Sequence, residues 1–87
     1  IMNIKLRIIQ ALKIQNFTIL EVEFIEGDKV LKDDVFYSND IEFIVKNIGL
    51  IESNLNNIYP LTVEFNSEIE LQELEGTFFE KKSQKLI

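Results

Sequence analysis

Apolar and polar residues alternate with period two over much of this chain. Ile4, Leu6 and Ile8 are interleaved with Lys5 and Arg7, which predicts a strand buried on one face. From Thr18 to Phe24, Leu20, Val22 and Phe24 share one phase and Glu21 and Glu23 the other, which predicts a second strand. Glu26-Gly27-Asp28 reads as a turn, because Gly and Asp supply the backbone freedom and side-chain bonding that turns need. The stretch from Val30 to Tyr37 is interrupted by Asp33-Asp34, so a turn is expected at the acid pair, with Val35-Phe36-Tyr37 as a third strand. Ser38-Asn39-Asp40 is another turn cluster.

A fourth strand is expected where Ile41, Phe43 and Val45 alternate with Glu42, Ile44 and Lys46. Ile44 breaks the polar phase and suggests partial cover on both faces. Asn47 to Gly49 marks a bend or bulge, Leu50-Ile51 could extend the pairing, and Ser53-Asn54-Leu55-Asn56-Asn57 reads as a loop. Leu61 to Phe65 is the expected fifth strand and Thr77 to Glu80 the sixth. Between them, Ser67 to Glu75 fits one turn of 3₁₀ or a short α-helix, with Leu71 and Leu74 inward and glutamates outward. Gly76 suits the position just past such a turn, where φ is often positive. One segment is ambiguous: the apolar residues at positions 8, 9, 11, 12 and 14 also fit a helical stripe.

About six short strands separated by turn signals predict an all-β fold, a small closed or partly open antiparallel barrel with one short 3₁₀ or α turn. Closure removes sheet edges that would otherwise template aggregation in so isoleucine-rich a chain. Residues 1–80 form one expected domain. Residues 81–87 are expected to be a frayed tail.

Composition narrows the chemistry. The 87 residues are 46% hydrophobic and include no cysteine or histidine. There is therefore no thiolate metal site, and both the commonest metal ligand and the usual general base near neutral pH are missing. The serines at 38, 53, 67 and 83 have no histidine partner, which argues against a nucleophilic serine. Glycines stand alone at 27, 49 and 76, so no phosphate-cradling loop is formed. Asp33 and Asp34, as neighbours on an extended chain, would point to opposite faces and read as turn acids rather than a catalytic pair. Glu26, Asp28, Asp33 and Asp34 lack the spacing of a calcium loop. The expectation is a non-enzymatic protein with no cofactor and no metal.

A net charge of −6 opposes binding to a phosphate backbone and favours a basic partner. No apolar run approaches the roughly 20 residues of a membrane span, and the first residues lack the order of a signal peptide. Met2 reads as the natural start, with Ile1 an added residue, and the cytoplasm is the expected location. Glu64, Glu68, Glu70, Glu73 and Glu75 concentrate negative charge around the closing turn. They serve either as a solvated face or as a contact patch for a basic protein. Of the seven phenylalanines, most fall on inward phases. Phe78 and Phe79 are adjacent on a strand, so one ring must face out. That ring is an interface anchor unless Leu86 and Ile87 cover it.

The closing pattern of Pro60-Leu61-Thr62-Val63-Glu64-Phe65, Leu71, Leu74 and Gly76, with strands resembling Ile8 to Ile14 and Phe17 to Phe24 and a turn near Asp28 to Asp34, resembles the second domain of translation GTPases of the elongation factor Tu type. The resemblance runs from Leu6 to Glu80. Ile14-Gln15-Asn16-Phe17-Thr18 stands where that family has a glycine- and arginine-containing segment, and Lys32 where it has a glycine. The resemblance implies the β-barrel alone: the GTPase domain is absent, so GTP binding is not implied, and fold does not fix function.

Three functional expectations follow. The first is a barrel that works by binding another protein with a basic surface, through Glu64, Glu68, Glu70, Glu73, Glu75, Phe78 and Phe79. The second is an immunity protein or antitoxin that plugs the basic active site of a toxin such as a nuclease. The third is an RNA-contacting accessory barrel in translation that stacks bases on exposed aromatics; its only basic candidates are Lys5, Arg7 and the tail lysines.

Overall fold

The computed structural model describes residues 3–27, 29–49 and 58–82. Six strands follow one another: β1 (Lys5–Ile14), β2 (Phe17–Glu26), β3 (Val35–Ser38), β4 (Ile41–Ile48), β5 (Ile58–Phe65) and β6 (Phe78–Lys81). A 3₁₀ turn, Leu71–Leu74, lies between the last two. The strands are ordered β1-β2-β5-β4-β3-β6, and the pairing of Leu6 with Phe79 closes the ring. Every pairing is antiparallel. The fold is thus the closed six-stranded barrel with one short 3₁₀ turn that the alternation predicts.

The inward phases build the core. Leu6, Ile8, Leu20, Val22, Phe36, Val45 and Leu61 lose all contact with water, and Phe43 and Phe79 nearly all. Phe43 is the hub: its ring centroid lies 5.4 Å from Phe36, 5.4 Å from Phe65 and 5.1 Å from Phe79. Leu74 of the 3₁₀ turn is also buried and Leu71 packs against the cluster, so the turn closes one end of the barrel. Gly76 follows with φ of 85°, and its N–H donates to the Ile8 carbonyl at 2.7 Å. No charged or polar residue is buried among the described residues.

The segment from Ile8 to Ile14 is strand throughout, not helix. Its misleading spacing has a cause in the register. Ile8 pairs with Val22, but the next pair is Gln10 with Glu21, leaving Ile9 as the extra residue of a β-bulge. The inward phase therefore changes from Ile4, Leu6 and Ile8 before the bulge to Ala11 and Lys13 after it. Leu12 and Ile14 are turned outward. The same ladder skips Ile25 between the pairs Lys5–Glu26 and Leu6–Phe24, and on β4 a bulge leaves Lys46 unpaired between Val45 and Asn47, one residue before the expected bend. Ile44 lies outside and is 37% exposed. The sixth strand ends at Lys81 rather than Glu80, and its neighbour Lys82 still donates its N–H to the Val35 carbonyl. Leu50-Ile51, Ser53 to Asn57, Asp28 of the expected turn and the tail beyond Lys82 fall outside the described residues.

Asp33-Asp34 forms the turn that the acid pair predicts. Asp33 takes a left-handed φ of 74° and its N–H donates to the Val45 carbonyl at 2.7 Å. The Asp34 carboxylate accepts from the Leu31 N–H at 2.9 Å and lies 3.4 Å from Lys81 Nζ. The Asp34 carboxylate and the Asp33 backbone together hold the chain's approach to β3.

Candidate functional site at the hairpin end of the barrel

The β1–β2 hairpin turns through two residues, Gln15 and Asn16, between the paired Ile14 and Phe17. Gln15 carries the positive φ of 55° that a two-residue hairpin turn demands. Register puts Ile14 and Phe17 side by side on the outer face, with the pair Leu12 and Ile19 behind them. Ile14 is 51% exposed and Phe17 58%. Phe17 therefore does not belong to the core that most of the phenylalanines build: on β2 the inward phase is Leu20, Val22 and Phe24, and Phe17 sits on the other.

A groove opens beside this tip. Lys13 and Thr18 contribute from the hairpin, Val63 and Phe65 from β5, and residues 66–71 form the far wall. Val63, Phe65, Ile69 and Leu71 belong to or pack against the core, which gives the groove an apolar floor. Its volume of about 730 Å³ falls in the range of small-molecule clefts. It is open to solvent, however, and not an enclosed cavity. Asn66 fixes the far wall. Its side-chain carbonyl accepts from the Glu42 N–H at 3.1 Å, and its amide group reaches the Asp40 carbonyl at 3.5 Å. A second open cleft shares Asn16, Val63 and Glu64 with the first and is edged by Phe17, Lys32 and Lys46.

The glutamates expected to act together are divided by the fold. Glu64, Glu68 and Glu70 line the groove. Glu64 lies 3.5 Å from Lys46, whereas no ion pair engages Glu68 or Glu70 among the described residues. Glu73 and Glu75 are exposed on and just after the 3₁₀ turn and do not line the groove. Phe78 is the outward ring of its pair, 47% exposed, but it sits opposite Arg7 near the other end of β1. Lys5 Nζ covers it at 5.4 Å from the ring centroid. Phe79 must be withdrawn from the contact set: strand alternation turns it inward, where it is 1% exposed and packs on Phe43.

Among the described residues, three of the basic side chains expected to contact RNA are engaged by acids. Arg7 is ion-paired with Glu23 at 3.2 Å, Lys81 with Asp34, and Lys82 with Glu42 at 2.9 Å. No cluster of three or more acidic side chains is placed to hold a metal ion among the described residues. No helix there is long and apolar enough to cross a membrane.

The fold and this site define a small antiparallel barrel with a glutamate-lined groove beside an exposed apolar hairpin tip. No protein-family model, curated protein or solved structure matches the chain. The resemblance to the second domain of translation GTPases therefore rests on the sequence pattern alone.

Proposed function

We propose that this chain is a non-enzymatic barrel of the elongation-factor second-domain type that acts by binding another protein, and that the hairpin end is its contact surface. One observation carries the reading: exposed Ile14 and Phe17 adjoin a groove with an apolar floor and the carboxylates of Glu64, Glu68 and Glu70 on its rim. An apolar anchor beside like charges is suited to a partner that covers the rings and neutralises the rim. The complementary surface is basic with an apolar cup, and the substrate cleft of a nuclease toxin is one surface of that chemistry. RNA fits less well, since Glu68 and Glu70 would face its phosphates.

The test is affinity capture with the immobilised chain beside two variants, Ile14→Ser/Phe17→Ser and Glu68→Lys/Glu70→Lys. A basic protein should be retained by the unaltered chain at low salt and lost from both variants. Equal retention by all three, or turnover of a substrate by the chain alone, would overturn the reading.

A further inference from the structure

Two backbone irregularities meet beside the hairpin tip and bring two lysines together. Lys46 is the extra residue of the β4 bulge, a device that re-aims a side chain. Lys32 precedes the left-handed Asp33, and that turn is tied to the same strand. The Asp33 N–H donates to the Val45 carbonyl, and the Val45 N–H donates to the Asp34 carbonyl. Both lysines therefore line the second cleft, together with Phe17, Ile19 and Thr62. Glu64 meets Lys46 at 3.5 Å, but no ion pair engages Lys32 among the described residues. The adjoining groove has the opposite sign, since Glu64, Glu68 and Glu70 outnumber Lys13 there. Asn16, Val63 and Glu64 line both depressions. A basic cleft and an acidic groove thus share one wall, with the exposed Ile14 and Phe17 on either side of the turn that carries Asn16.

Resting on the contact surface of the proposed function, we infer that a second copy of this chain binds here, about a two-fold axis through the shared wall. Such an axis exchanges the two depressions. Glu68 and Glu70 of each copy then face Lys32 and Lys46 of the other, and the Ile14 and Phe17 tips meet near the axis as its apolar centre. A copy docked without that exchange sets glutamates against glutamates and is rejected. Lys13 has the wrong sign for the pairing and weakens it. The net charge of −6 opposes approach at low salt, but at physiological salt screening over about 8 Å leaves the neighbours across the contact to decide. The apolar centre is small, so the dimer is weak, with a dissociation constant in the micromolar range or above. Because the same face serves the partner, dimer and partner complex exclude each other. Self-association masks the site until a more basic surface displaces the second copy.

Sedimentation velocity of the full chain at physiological salt, from micromolar to millimolar concentration, should show a monomer–dimer equilibrium. Two variants, Lys32→Glu/Lys46→Glu and Glu68→Lys/Glu70→Lys, separate charge complementarity from unspecific association. All four positions are exposed, so both variants keep the fold, which their urea midpoints verify. Each should be monomeric, because each carries one sign on both sides of the wall. Mixed in equal amounts, they should associate at least about tenfold more tightly than either does alone, since each altered side chain then meets its opposite. Both variants keep a net negative charge, so only the local contacts can attract them. A monomer at every concentration overturns the inference and leaves the capture experiment to judge the partner site by itself. A dimer retained by both variants overturns it too, by placing the contact elsewhere. So does a mixture of the two folded variants that stays monomeric.

Discussion

Two glycines show how differently a single methyl group is received at different points of this barrel. At Gly76 an added Cβ meets no atom within 4 Å, but φ is 85°, a conformation that costs an L-residue roughly 1–2 kcal/mol. At Gly49 the space itself is taken: an added Cβ would lie 2.5 Å from Pro60 Cγ, because the Gly49 N–H donates to the Pro60 carbonyl at 2.8 Å. A proline ring has little freedom to move aside. Gly49→Ala should therefore destabilise the fold by about 1–3 kcal/mol as overpacking. Pro60→Ala should restore much of that loss, while leaving the cost of Gly76→Ala unchanged. Urea midpoints of the singles and doubles measure this. Equal coupling of Pro60→Ala to both glycine variants would mean that the clash is not what fixes Gly49.

The strands were legible from period two wherever the ladder is regular: Phe36 and Phe43, Leu61 and Val63, and Phe79 all lie on the side that alternation assigns them. The extra residue at Ile9 was not legible. A bulge leaves no compositional mark, and in its place the chain shows apolar spacings that imitate a helix. Everything beyond it inherits the phase change, so the outward placement of Leu12 and the exposure of Ile14 followed from register and not from hydropathy. Phe17 could have been found, since counting back by twos from Leu20 places it outside. The division of the glutamates was hidden for another reason. They are neighbours in sequence, but the 3₁₀ turn carries Glu73 and Glu75 away from the groove that Glu68 and Glu70 line. The phase change has a measurable consequence. Ile14→Thr should alter stability by no more than about 0.5 kcal/mol, because the side chain already meets water. Ile8→Ala, on the buried side of the bulge, should cost about 2–5 kcal/mol. Similar losses for both would place Ile14 inside and remove the apolar tip from the contact surface.

At the scale of the molecule, charge acts on a body small enough for every group to feel the others. The principal extents are 38 × 31 × 21 Å, while the Debye length is about 30 Å at 0.01 M salt and about 8 Å at 0.15 M. At low salt, then, the excess of 15 acidic over 9 basic residues repels across the whole barrel. At physiological salt only neighbours interact. Salt also weakens the four ion pairs among the described residues, but most of their side chains are well exposed, and such pairs contribute about 0–1 kcal/mol each. Repulsion spread over the full surface should prevail, so the urea midpoint should rise between 0.01 and 0.15 M salt, a span over which screening shortens about fourfold. Neutralising the groove rim with Glu68→Gln/Glu70→Gln should raise the low-salt midpoint and shrink the further gain from salt. A midpoint that falls with salt would mean that the ion pairs outweigh the repulsion. The rim would then be no reservoir of strain for a basic partner to relieve, and such a partner would have to be held by Ile14 and Phe17 instead.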